Sequence, residues 1–159
     1  MTSYPDFTII VDTREQQPWK FKYQATASRK LDTGDYSIEG LENILCIERK
    51  KSVSEIANNI TEKRFKDVLN RMKEYKYPFM LFEFNLEDIY NFPVGSNVPR
   101  HVWEKLKISP AFIIKNINEF QIYFGIRILF CGSANNAEKI AEALMRKIYE
   151  VERKDKPIF

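Results

Sequence analysis

Apolar positions along this chain repeat with two different periods, and the changes between them mark out its elements. Residues 7–11 (FTIIV) form a short apolar run, β-branched at its centre, which predicts a buried strand ending at Asp12. Pro18-Trp19 interrupts any regular element soon after, and the polar stretch 24–30 carries no readable period. Residues 35–38 (DYSI) and 44–50 (ILCIERK) read as two strands around a turn at Glu39-Gly40, and are expected to pair as a hairpin. From Ser52 the spacing becomes helical. Val53, Ile56, Ala57 and Ile60 share a face, with Ser52 as N-cap and Glu55 three residues on. Phe65, Val68, Leu69 and Met72 mark a second helix over 62–76, which Pro78 stops. Residues 79–84 (FMLFEF) predict a central strand. Residues 85–110 hold several prolines and are expected to contain a loop and a short helix around 102–106. A helix over 111–124, a strand over 126–131 and a helix over 134–151 complete the chain. The order β, ββ, α(α), β, α, β, α predicts an α/β fold, a central mixed sheet flanked by helices.

The bulk numbers fit one domain spanning 1–159, with a charged, frayed tail at 152–159. Apolar residues make up 44% and aromatics 14%, which argues against disorder. The net charge of +3 is too small to identify a nucleic-acid partner, so local clustering has to carry that argument. Cys46 and Cys131 each sit in an apolar run and read as small buried hydrophobes, too few for a disulfide framework or a Cys-based zinc site. His101 is the single histidine and no serine elbow accompanies it, which argues against a nucleophilic triad. No signal peptide and no apolar run near ~18–20 residues is visible, so the expectation is a cytoplasmic, DNA-associated protein with no membrane contact. No GxGxxG loop supports a small-molecule-binding α/β domain.

The candidate chemistry lies at three strand ends. Gly34-Asp35 is followed, after twelve residues, by Glu48-Arg49-Lys50. The hairpin would bring Asp35 close to Glu48, and Lys50 leaves the strand on the same face as Glu48 because side chains alternate. Asp12, ending the first strand, would join them if the strands lie side by side. Like charges that close are unstable unless protonated or neutralised, and a hard cation, Mg²⁺ or Mn²⁺, resolves the conflict. Two carboxylates, a cation and a lysine suit phosphodiester hydrolysis. Segment 48–76 is locally basic and includes Lys51, Lys63 and Arg64, candidate contacts to DNA phosphates. Trp19, Tyr23 and Tyr36 read as core aromatics before base-stacking ones.

With these residues in view, VDTRE at 11–15, GD at 34–35 and IERK at 47–50 resemble the nuclease domain of the XPF family of structure-specific DNA endonucleases. That family's signature is GD, a variable spacer, then ERK, three residues and D. The resemblance extends through KRFKDVLNRMKEYKYPFMLFEF (63–84) and IRILFCGSANNAEKIAEAL (126–144). It implies a restriction-endonuclease-like fold, with Asp35 and Glu48 as metal-binding carboxylates and Asp12 as a further acid at the metal. It implies that Lys50 positions or activates the water, and that Arg49 and Arg14 pair with the acids or touch phosphate. An arginine at the place of Arg64 also belongs to the resemblance, whereas Glu15 receives no definite role. The motif's last acid falls on Ser54, with Glu55 one step later, so either helix start or acid is displaced. The family often carries helix–hairpin–helix modules, and no glycine follows Gly132, so the whole chain is expected to be the catalytic domain. The partners implied are DNA and a second copy or another protein, with the aromatic stretch 112–124 as candidate interface. The alternatives are a catalytically silent DNA-binding scaffold subunit, or a restriction-type or junction-resolving nuclease on the same fold.

Overall fold

The computed structural model describes residues 5–153. Its elements are β1 (Thr8–Asp12), β2 (Ala25–Arg29), β3 (Tyr36–Ile38), β4 (Leu45–Lys50), α1 (Val53–Ile60), α2 (Lys63–Met72), β5 (Tyr77–Phe82), α3 (Leu86–Tyr90), a 3-10 turn (Arg100–Lys105), α4 (Pro110–Phe124), β6 (Arg127–Phe130) and α5 (Ala134–Glu152). The six strands form one mixed sheet in the order β2-β1-β3-β4-β5-β6. β3 runs antiparallel to both β1 and β4, while β1–β2, β4–β5 and β5–β6 are parallel. The expected mixed α/β sheet and the β3–β4 hairpin are therefore present.

Each face of the sheet packs its own apolar cluster. On one face Cys46, Met80 and Phe82 meet Ile56 of α1, Phe65, Leu69 and Met72 of α2, Ile89 of α3, and Ile113, Ile117 and Phe120 of α4. On the other, Ile9, Val11, Tyr36, Ile47 and Leu81 meet Ala137, Ala141, Met145 and Ile148 of α5. Both cysteines are free and buried. Because side chains alternate along β4, Cys46, Glu48 and Lys50 face α1 and α2, whereas Leu45, Ile47 and Arg49 face α5. This alternation decides where every residue of the ERK motif ends up.

The structure departs from the hydrophobic pattern in four places. The periodless stretch 24–30 contains β2, an edge strand parallel to β1 whose side chains are nearly all exposed, so burial imposed no pattern on it. The second helix stops at Met72 instead of residue 76, and turns lead into β5. Pro78 lies inside β5, not before it. The Tyr77 N–H donates to Ile44 on the β4 side, so the missing N–H of Pro78 points toward β6, whose pairing begins one residue later at Phe79. Finally, 85–110 holds α3 as well as the 3-10 turn. Elsewhere the local signals act as expected. Ser52 Oγ accepts from Glu55 N at the start of α1, and Ser109 and Ser133 cap α4 and α5 in the same way. Of the expected frayed tail, residues 154–159 lie outside the described residues. Among the described residues no helix is long and apolar enough to cross a membrane.

Candidate functional site

Asp35 is held by main-chain bonds on both sides. Its N–H donates to Ile47 O at 2.8 Å, and its carbonyl accepts from Asp12 N at 2.9 Å. The turn before it depends on Gly34, whose φ of 89° suits glycine, and a Cβ there would lie 2.7 Å from Cys46 Sγ. The chain thus passes tightly over Cys46 and presents the Asp35 carboxylate beside Glu48. The Asp35 Oδ2 also accepts the Arg49 main-chain N–H at 2.8 Å.

Asp35, Glu48 and Lys50 share a cavity of about 350 Å³. Its remaining walls come from Asp12 and Arg14, from Asp32 to Gly34, from Asn59 and Glu62, and from Arg64, Phe65, Val68 and Arg71 on α2. Burial, the neighbouring charge of Glu48 and a hydrogen bond between the two carboxyls push Asp35 well above the usual carboxylate range, against the opposing Arg49 N–H. Lys50 Nζ stands 3.4 Å from Glu48 Oε2 and 4.9 Å from the centre of the Phe65 ring, with 7% of its side chain exposed. Two neighbouring carboxyls, one of them buried and costly to ionise, make a natural seat for a dication.

Asp12 lies beside this pair but is already committed. Its Oδ1 accepts from Leu31 N at 2.8 Å and from Arg14 Nη2 at 3.2 Å, and its Oδ2 accepts from Arg14 Nε at 2.7 Å. Burial would raise its pKa, but the Arg14 and main-chain bonds outweigh that and hold it below the ordinary value. Among the described residues no three His, Cys, Asp or Glu side chains gather as a metal-ligand group. In this structure Asp12 lines the same cavity as the pair and braces Arg14. The pair fits Mg²⁺ chemically, since that ion keeps several waters and takes one or two carboxylates alongside phosphate oxygens.

Arg49 pairs with acids, but with ones outside the cavity. It points through the sheet to the α5 side, where Nε donates to Glu83 Oε2 at 2.6 Å and Nη1 to Glu15 Oε2 at 3.0 Å and Gln17 O at 2.7 Å. Trp19 packs under its guanidinium at 4.9 Å and donates its own Nε1–H to Glu83. Tyr36 stacks on Trp19 and donates to Glu15. Glu15, Trp19 and Tyr36 thus belong to this buried network, while Tyr23 is exposed. Glu55 is also taken. It accepts from Lys51 N while its own N–H meets the Ser52 cap, so it fastens the start of α1. Ser54 and Lys51 line a different cavity, next to Phe84, Phe92 and the loop at 94–97, and Ser54 Oγ is buried without a partner. Neither Ser54 nor Glu55 lines the Asp35 cavity, and neither does Lys63. Arg14 and Arg64 do. Thr33, Asn59 and Arg71 line it as well, although neither the GD nor the ERK motif points to them. Arg71 lies seven residues after Arg64, on the same helical face, and that spacing is the signal that would have found it.

The fold defines the class, a restriction-endonuclease-like α/β domain. Residues 5–144 match the family model of the ERCC4 domain, and the chain belongs to that family as an XPF-type nuclease domain. Two solved structures share the fold at 19% identity and a TM-score of 0.65. They are XPF from Aeropyrum pernix, matched over 89% of this chain and 65% of that one, and XPF from Aeropyrum pernix in complex with DNA, matched over 96% and 68%. The chain thus spans about two thirds of these archaeal proteins. A comparison with curated proteins finds no match.

Proposed function

We propose that this domain is a Mg²⁺- or Mn²⁺-dependent DNA endonuclease that hydrolyses phosphodiester bonds in branched, flapped or junction DNA. The observation that carries the reading is that Asp35, Glu48 and Lys50 line one open cavity, with Lys50 Nζ 3.4 Å from Glu48 Oε2. Membership in the ERCC4 domain family supports it, and one matched archaeal structure holds DNA.

A dication seated on Asp35 and Glu48 would neutralise charge on the phosphate and make water a better nucleophile near neutral pH. The chain's residues do the rest. Lys50, fixed between Glu48 and Phe65, donates to the attacking water and holds it in line with the scissile bond. Asp12 keeps Arg14 at the rim of the cavity, where its guanidinium meets a phosphate oxygen. Attack on phosphorus breaks the bond to the 3′ oxygen and leaves a 5′-phosphate and a 3′-hydroxyl. A second copy or partner protein would dock on α4, where Ala111, Ile114, Ile122 and Tyr123 line an open apolar groove.

The test is incubation with labelled flap, fork, four-way junction and plain duplex DNA, with Mg²⁺ and with EDTA. Cleavage is expected in Mg²⁺ alone, and faster on the branched substrates. Equal cutting in EDTA would remove the metal from the account, and equal rates on plain duplex would remove the branch preference.

A further inference from the structure

Four cations line the cavity: Arg14, Lys50, Arg64 and Arg71. Three of them have carboxylate partners. Arg14 pairs with Asp12, Lys50 with Glu48, and Arg64 with Glu62 at 3.5 Å. Arg71 differs. Its Nε donates to Thr33 Oγ1 at 3.0 Å, and among the described residues no carboxylate lies within ion-pair distance of it. Thr33 is 5% exposed and directly precedes Gly34-Asp35, so a neutral, fixed hydroxyl aims this guanidinium.

Arg64, Val68 and Arg71 follow one another at four and three residues, one face of α2. Seven residues at ~1.5 Å each place the two arginines about 10 Å apart along the helix. Each step of a duplex strand rises ~3.4 Å along the axis and also turns around it, so the two phosphates flanking a given one lie roughly 12 Å apart, a span two arginine side chains at this separation can reach. Val68, between them, offers no hydrogen bond to a base.

We propose that Arg71 is a phosphate-contacting residue which, with Arg64, lays one DNA strand along α2, so that the phosphates flanking the scissile one rest on the two arginines. This rests on the nuclease reading and adds the path of the strand. Contacts of this kind position the substrate and carry no sequence information.

The test is DNA binding by fluorescence anisotropy in EDTA, with a labelled fork, across a series of NaCl concentrations. Arg71→Gln is expected to flatten the slope of log affinity against log salt by about one and to weaken unrelated sequences alike. Arg71→Lys is expected to restore the slope. Thr33→Val removes the brace but no charge, so affinity should fall with the slope kept. A second measurement needs no variant. Single neutral methylphosphonates placed through the fork should weaken wild-type binding on both sides of the cut phosphate. If Arg71→Gln keeps the wild-type slope, or only the cut phosphate is sensitive, Arg71 is a strut for Thr33 and the proposal fails while the nuclease reading stands. If the wild-type protein neither binds nor cuts DNA, both fall.

Discussion

The main-chain N–H of Arg49 donates to Asp35 Oδ2 at 2.8 Å, while the Arg49 side chain leaves on the opposite face of the sheet. One residue thus steadies the candidate active-site carboxylate with its backbone and anchors β4 with its side chain. The order Glu-Arg-Lys uses strand alternation to send its two outer members to the cavity and the middle one to the core.

Arg49 neutralises two carboxylates, Glu15 and Glu83, whose side chains are 11% and 6% exposed. Removing one partner of a buried ionic group costs about 3–5 kcal/mol, because the remaining charges lose their compensation. Arg49→Ala should therefore lower the unfolding free energy by about that much in urea titration. Arg49→Lys should recover only part of it, since an ammonium cannot reach Glu15, Glu83 and Gln17 O with a planar fork. A loss below about 1 kcal/mol for Arg49→Ala would mean the network is ornamental.

The raised pKa of Asp35 has a defined consequence for stability. An acid whose folded pKa lies above its unfolded one favours the fold fully below the ordinary carboxylate range, and that contribution is lost as pH rises through the folded value. Without metal, this group should make stability fall with pH by at most about 1.4 kcal/mol per unit across that window. Asp35→Asn should raise the melting temperature in EDTA near neutral pH. Mg²⁺ should stabilise the wild-type protein there, and stabilise it less below the window, where protons compete for the carboxylates. Calorimetric scans at several pH values, with and without Mg²⁺, check all three outcomes.

Gly34 carries a positive φ and almost touches Cys46. Gly34→Ala meets both obstacles and should cost about 1–3 kcal/mol while displacing Asp35. Adding Cys46→Ala should relieve the clash but leave the backbone strain, giving partial rescue of stability. Full rescue would assign the whole cost to the contact with Sγ.

On the far side of the sheet, Glu142 of α5 accepts the main-chain N–H groups of Lys22, Tyr23 and Gln24 at 3.1, 2.9 and 3.0 Å. Glu138 accepts that of Lys20. The two glutamates latch the loop before β2. Glu142→Ala should cost about 1–3 kcal/mol and speed hydrogen exchange at residues 22–24, whereas Glu142→Gln, which keeps one acceptor oxygen, should cost less. Unchanged exchange there would rule out the latch.

What the sequence made legible follows what local physics controls. The buried strands, the hairpin and the serine-capped helices announce themselves through period and capping. β2 does not, because an exposed edge strand needs no apolar alternation, and Pro78 misleads because its tolerance depends on where β6 begins. Asp35, Glu48 and Lys50 converge as the GD and ERK motifs imply. Three readings needed coordinates. Asp12 is saturated by Arg14 and Leu31, Arg49 lies on the other face behind a network that includes Glu83, and Glu55 is a helix fastener. The first two turn on partners distant in sequence, Leu31 for Asp12 and Glu15 and Glu83 for Arg49, which spacing does not encode, whereas Glu55 acts through Lys51 and Ser52, within the capping pattern the sequence already shows.

The central claim is that Asp35 and Glu48 seat the catalytic cation and do not principally bind DNA. The most direct measurement is single-turnover cleavage of a branched DNA in Mg²⁺ by Asp35→Asn and Glu48→Gln, with affinity measured in parallel. The account predicts that both variants lose cleavage and keep near-wild-type affinity. Mg²⁺-dependent cutting retained by both would contradict it.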